Sequence, residues 1–142
     1  MLSVRKQFTL GKNERLKSRK QIEHLFNSGK KITVTPFRIF FLIKEQQKES
    51  DTKINLSFGV GVSSKNFKKA VDRNRVKRLT REAWRVQKNE LKEKLQANSR
   101  QLNVFFIYTA KELPDFKLVK DKVAVALKKF LEKTDENNSA NS

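Results

Sequence analysis

Between Lys65 and Arg85 the chain carries nine Lys or Arg and two acids, a density of cations suited to donating to phosphate oxygens. Placement sharpens the point. At roughly 100° per residue counted from Arg73, Val76, Leu79, Ala83 and Val86 fall within about 220–300° as an apolar stripe. On the same count Arg73, Lys77, Arg78, Arg81 and Arg85 spread over about 0–140°, with Asn74 among them able to bond phosphate and sugar. Arg75 falls at the stripe's edge, while Lys65, Lys68 and Lys69 add cations where the run begins. An ordinary solvated helix face interleaves acids for i,i+4 pairing, whereas here like charges repel across nearly every turn. Trp84 falls on the polar side by this count, and two uses are open to it: stacking on a base or covering the core's edge.

Hydrolytic chemistry is poorly supplied. With no cysteine and His24 as the sole histidine there is no thiol nucleophile, no Cys-based zinc knuckle and hardly a His-ligated metal site. An all-carboxylate magnesium site would need clustered acids, but Asp72 and Glu82 lie among cations, and Glu45, Glu49 and Asp51 fall in a polar loop. No catalytic side chain and no protein-held metal are expected.

The 142 residues match one domain, and 37% hydrophobic residues with eleven phenylalanines can furnish its core. A formal charge of +18 is a self-repulsion that a polyanion would relieve, so nucleic acid is the expected partner. Met1 to Lys20 lacks the apolar run of a secretory signal, and no segment has the length and hydropathy of a membrane helix. A cytoplasmic protein with no membrane partner is expected.

The elements that must position the basic run follow from periodicity. Residues 1–16 form a basic segment without pattern, expected to be extended or mobile until a partner is met; a domain over 17–133 follows, then a polar tail over 134–142, expected to be disordered. Ser18 and Gln21 fit a capping box opening a helix to about Ser28, with Ile22, Leu25 and Phe26 on one face and Gly29 as a left-handed stop. Ile32 to Lys44 is β-branched and aromatic, and Pro36 divides an edge segment from a strand over Phe37 to Ile43. Glu45 to Thr52 turns the chain.

Ile54, Leu56, Phe58, Val60 and Val62 then alternate with Asn55, Ser57, Gly59, Gly61 and Ser63, a half-buried strand. Its small-residue face suits either close approach of a nucleic-acid backbone or a packed helix. One long helix is expected over about Lys68 to Leu95 and a strand over Leu102 to Tyr108. A turn and N-cap follow at Leu113-Pro114-Asp115, then a last helix with Val119, Val123, Ala126, Leu127 and Phe130 inward. The fold class is α/β, a single small sheet packed with helices in the order α-β-β-β-α-β-α.

Ala70-Val71-Asp72-Arg73-Asn74-Arg75-Val76-Lys77-Arg78-Leu79-Thr80-Arg81-Glu82-Ala83-Trp84-Arg85 resembles the Arg-Asn-Arg helix of the bacterial ribonuclease P protein family. The likeness extends to Arg15-Leu16-Lys17, Phe26, Gly29, Phe37 and Gly59 through Lys65, and spans about Lys12 to Leu131. It implies an α/β sandwich similar to a ribosomal-protein domain, with a left-handed crossover where the general rule is right-handed. It also implies that a catalytic RNA holds Mg2+ and hydrolyses precursor tRNA, removing its 5′ leader, with the protein bound 1:1 to that RNA.

Carried onto matching positions, the resemblance implies RNA docking by Arg73, Asn74, Arg75, Lys77, Arg78 and Arg81. It further implies a leader cleft lined by Ile22, Phe26 and Phe40, with Lys65 near its charged edge. Ile22 stands where many relatives have Phe, Phe40 where some have Tyr, and Ser64 where a Lys is frequent, which lowers stacking, hydrogen bonding and charge respectively. Salt-sensitive binding with little base preference is expected. Three other readings make different demands. A structural ribosomal protein would favour extended RNA-bound tails, a helix-turn-helix reader needs two short helices where a strand is expected, and a self-sufficient nuclease would cleave without added RNA.

Overall fold

The period-2 pattern around Phe58 becomes one strand of a four-stranded sheet in a computed structural model that describes residues 15, 16, 18–45 and 56–140. The elements are α1 (Arg19–Ser28), β1 (Lys30–Val34), β2 (Phe37–Glu45), β3 (Leu56–Val62), α2 (Ala70–Arg85), α3 (Asn89–Ala97), β4 (Arg100–Tyr108) and α4 (Phe116–Ala140). Sheet order is β1-β2-β4-β3, antiparallel except for the parallel pair β3 and β4. This is the expected α/β class. Residues 1–14, much of the polar turn after Glu45, and Ile54 lie outside the described residues.

One sheet face carries the core. Phe37, Ile39 and Phe41 of β2, Leu56, Phe58 and Val60 of β3, and Leu102, Val104, Phe106 and Tyr108 of β4 are all buried there. Alternation places these residues on one side of the pleat, and α2, α3 and α4 cover them. Val119, Val123, Ala126, Leu127 and Phe130 form the buried stripe of α4, as its 3.6-residue period requires. Asp115 caps that helix, its Oδ1 accepting from the Leu118 N–H at 2.8 Å.

The expected long helix divides in two. Gln87 Nε2 donates to the Ala83 carbonyl at 3.0 Å and to the Lys120 carbonyl at 3.1 Å, while its own N–H turns to Trp84 O. The side chain thus takes the acceptor a continuing helix would give the Gln87 N–H, and residues 86–88 form a turn. Helix α3 then buries Leu91 and Leu95.

At the first helix the boundaries agree but the end chemistry differs. Ser18 is the N-cap residue, yet its side chain makes no cap bond. Gly29 is extended (φ −82°, ψ 169°) rather than left-handed, because the chain passes straight into β1. Its requirement is space: a Cβ there would lie 2.5 Å from Leu25 O and 2.8 Å from Phe41 O. At the other end of the chain α4 runs through polar sequence to Ala140, with Thr134 buried and its hydroxyl donating to Phe130 O. Polar composition did not stop a helix already nucleated and packed.

β3 has an edge to cover. Leu16 is buried and its N–H donates to Phe58 O at 2.7 Å, with Arg15 bridged in parallel to Phe58. Residues 15 and 16 therefore dock on the sheet and occupy edge groups that would otherwise face water.

Candidate nucleic-acid interface

Packing fixes which way the basic helix faces. The buried residues of α2 are Val76, Thr80, Ala83 and Trp84, so its inward side is centred nearer Trp84 than the apolar stripe alone suggests. Thr80 enters the core because its hydroxyl donates to Val76 O at 2.8 Å, and Trp84 because its ring stacks on Phe58, centroids 4.6 Å apart and planes 11° apart. Trp84 is core. Leu79 is partly buried and Val86 is exposed, so the stripe's far side turns to solvent.

That rotation brings Arg75 from the stripe's edge onto the open face. Val71, Asn74, Arg75, Arg78 and Arg81 together line a shallow depression. Partial desolvation, and then repulsion from Arg15, lower the pKa of Arg81, which places Arg15 in the same cationic field. Nothing in the linear sequence sets Arg15 beside Arg81; its bridge to β3 brings it there. Lys77 is half-buried, and Lys68 and Lys69 are exposed where α2 begins, lining a second depression with Lys111. Lys65 is exposed in the turn after β3.

Two members of the run have protein partners. Arg73 is partly buried, and its Nη1 donates to Phe67 O at 2.8 Å and Lys68 O at 2.9 Å. Arg85 bonds Glu82 through Nε at 3.0 Å and through Nη2, and that hydrogen bond, more than Coulomb attraction, holds the Glu82 carboxyl below its usual range. Arg85 is partly exposed and Glu82 exposed, so the pair moderates local charge more than it stabilises the fold.

The sheet face away from the core meets α1. Ile22 and Phe26 lie four residues apart on that helix, and Phe26 packs on Phe40 (centroids 4.7 Å) and edge-on against Phe105 (5.5 Å). Phe26 remains 39% exposed, so the cluster is a surface rather than a sealed core. Register explains it: Lys31, Phe40, Phe105 and Gly59 form one row across the four strands, and Thr33, Arg38, Ile107 and Gly61 the next. Cations thus flank an aromatic platform whose other side is glycine.

Phe105 is the residue that sequence reading missed. Its signal was available, because β4 is apolar in both phases at Phe105 and Ile107, which a strand buried on one face has no need of. Of the two occupants expected for the small face of β3, the packed helix is not the one found beside Gly59 and Gly61. Instead Phe105 lies over that face: a Cβ at Gly59 would meet its ring at 2.7 Å and Leu16 O at 2.8 Å. Gly59→Ala should therefore cost about 1–3 kcal/mol through overpacking. A urea titration checks it, and unchanged stability would mean that ring and strand yield freely.

Comparison with known proteins follows the same lines. The family model described as Ribonuclease P matches residues 10–133. The ribonuclease P protein component of Porphyromonas gingivalis is 38% identical over 112 residues, covering 79% of each chain. That of Chlorobium phaeobacteroides is 32% identical over 128 residues, covering 82% of this chain and 84% of its own. Among solved structures, the RNase P protein from Thermotoga maritima superposes with a TM-score of 0.59 over 82% of this chain and 96% of its own, at 24% identity, a likeness of fold.

Proposed function

Since the chain belongs to the ribonuclease P protein family, we propose that it is the protein subunit of that ribonucleoprotein, serving tRNA 5′ processing by binding the catalytic RNA and the precursor's 5′ leader. The observation that carries this is the pairing of two unlike surfaces: the cationic face of α2 and the aromatic platform between α1 and the sheet. Asn74, Arg75, Arg78 and Arg81, with Lys68, Lys69 and Lys77 beside them, dock on the RNA backbone. Phosphate contacts of this kind fix position without reading sequence.

Ile22, Phe26, Phe40 and Phe105 hold the leader. Exposed ring surface offers base stacking, Lys31 and Arg38 offer charge to its phosphates, and the glycines of β3 add no side-chain bulk beside the platform. Gripping the leader favours substrate over leaderless product, and the cations reduce repulsion between two RNAs.

Hydrolysis belongs to the RNA and its magnesium ions. In this reading the protein holds no metal itself; among the described residues no three or more His, Asp or Glu side chains are grouped so that they could hold one. A 1:1 complex with the RNA, in the cytoplasm, completes the proposal; no helix among the described residues is long and apolar enough to cross a membrane.

The leader assignment is tested with Phe26→Leu, which keeps an apolar side chain but removes the aromatic face. In enzyme reconstituted with a bacterial ribonuclease P RNA, affinity for leader-bearing precursor should fall by roughly five- to tenfold, the size of a weakened base stack, with leaderless tRNA unaffected. Equal losses on both RNAs would remove the cleft from leader recognition.

A further inference from the structure

The three residues of the Arg-Asn-Arg triplet do not share one environment. Asn74 and Arg75 are exposed and line the shallow depression on α2, whereas Arg73 is partly buried and turned back along the chain. Its Nη1 bridges two consecutive carbonyls, Phe67 O and Lys68 O, in the segment entering the helix. The position is electrostatically unfavourable for a cation, since the first turn of a helix carries the positive end of its dipole. Charge-assisted bonds to two carbonyls offset that cost.

The same segment is fixed at other points. The Asn66 and Phe67 N–H groups donate to Ser63 O, Asn66 Nδ2 donates to Thr109 O at 3.1 Å, and Phe67 packs against Tyr108 at 6.1 Å between centroids. Thr109 in turn donates from both N–H and hydroxyl to Pro36 O. Asn66 and Phe67 are thereby tied to the end of β4 and the β1–β2 turn. No side chain caps α2 at Lys69, so the bridge from Arg73 is what binds the residues before that cap to the helix itself. Lys68 and Lys69 lie at this joint, facing solvent beside Lys111.

We infer that Arg73 is a positioning residue: it acts on RNA through the segment it clamps, setting where Lys68 and Lys69 stand, and is not itself a phosphate ligand. This rests on the RNA-docking reading of α2, but the clamp can be tested without RNA. Amide hydrogen exchange of residues 66–69 in the free protein should quicken about tenfold or more in Arg73→Ala and in Arg73→Lys, which keeps the charge without the planar fork, and remain at wild-type rates in Arg75→Ala.

A double-mutant cycle on binding to a bacterial ribonuclease P RNA gives the second readout. Lys68→Ala/Lys69→Ala should weaken wild-type binding about tenfold but the Arg73→Ala protein less than about twofold, while losses with Arg75→Ala multiply independently. Wild-type affinity in Arg73→Lys, independent losses for Arg73 and the lysines, or unchanged exchange in Arg73→Ala would each overturn the inference. Failure of wild-type protein to bind the RNA would instead overturn the docking reading, leaving exchange to decide the clamp.

Discussion

Replacing Arg75, Arg78 and Arg81 together with alanine should lower affinity for a bacterial ribonuclease P RNA by roughly 100-fold at near-physiological salt, from about 1 kcal/mol for each of three charge-assisted contacts. The dependence of log K on log salt should flatten by about 2, the counterions no longer released when three phosphate contacts vanish. Folding should be untouched, since these side chains are exposed and lie outside the buried face of α2. Partial desolvation and Arg15 both disfavour the charge on Arg81, so removing that charge should relieve repulsion in the free protein. Filter binding across a salt series, beside thermal melts of the free variant, checks both halves. An unchanged slope would place the RNA elsewhere on the protein.

Trp84→Ala carries the largest expected stability effect. The indole is fully buried, stacks on Phe58 and meets Phe106 edge-on at 5.7 Å, so it joins α2 to the centre of the sheet. Truncating an aromatic of this kind costs about 3–5 kcal/mol, against a total stability of about 5–15 kcal/mol for a typical domain. Chemical denaturation followed by circular dichroism should show a large fall in midpoint, with Trp84→Phe much closer to wild type. A loss under about 1 kcal/mol would mean that the indole is not the joint. As the sole tryptophan, buried away from the cationic face, Trp84 should report melting of the core more than arrival of RNA.

The sequence made strands and helices legible wherever a buried stripe ran uninterrupted. Val119 to Phe130 on α4, and Leu56 to Val60 against Gly59 and Gly61 on β3, could be read directly because burial on one face imposes a period. What stayed hidden depended on particular hydrogen bonds. Thr80 reads as polar until its hydroxyl finds Val76 O, and with Trp84 it rotates the inward side of α2, which turns Arg75 outward. Gln87 breaks the long helix by bonding Ala83 and Lys120 carbonyls, a tertiary contact with no local pattern.

The candidate site was legible in composition more than in geometry. Nine cations marked the basic segment, but charge alone could not show that Arg73 reaches back to Phe67 and Lys68 or that Arg85 bonds Glu82. Ile22, Phe26 and Phe40 came from resemblance; the structure packs Phe26 on Phe40 and adds Phe105, which becomes their neighbour only through the pairing of β2 with β4. At Gly29 the close approach of the Leu25 and Phe41 carbonyls, rather than handedness, excludes a side chain, a contact that the helix-stop pattern does not encode.

Cleavage of precursor tRNA at low magnesium tests the central claim most directly, with the protein alone, a bacterial ribonuclease P RNA alone, and the two combined. The proposed function requires efficient cleavage in the mixture alone, weakened by added salt and by the triple Arg75, Arg78, Arg81 variant. An RNA whose activity is indifferent to the protein, or cleavage by the protein without RNA, would contradict it.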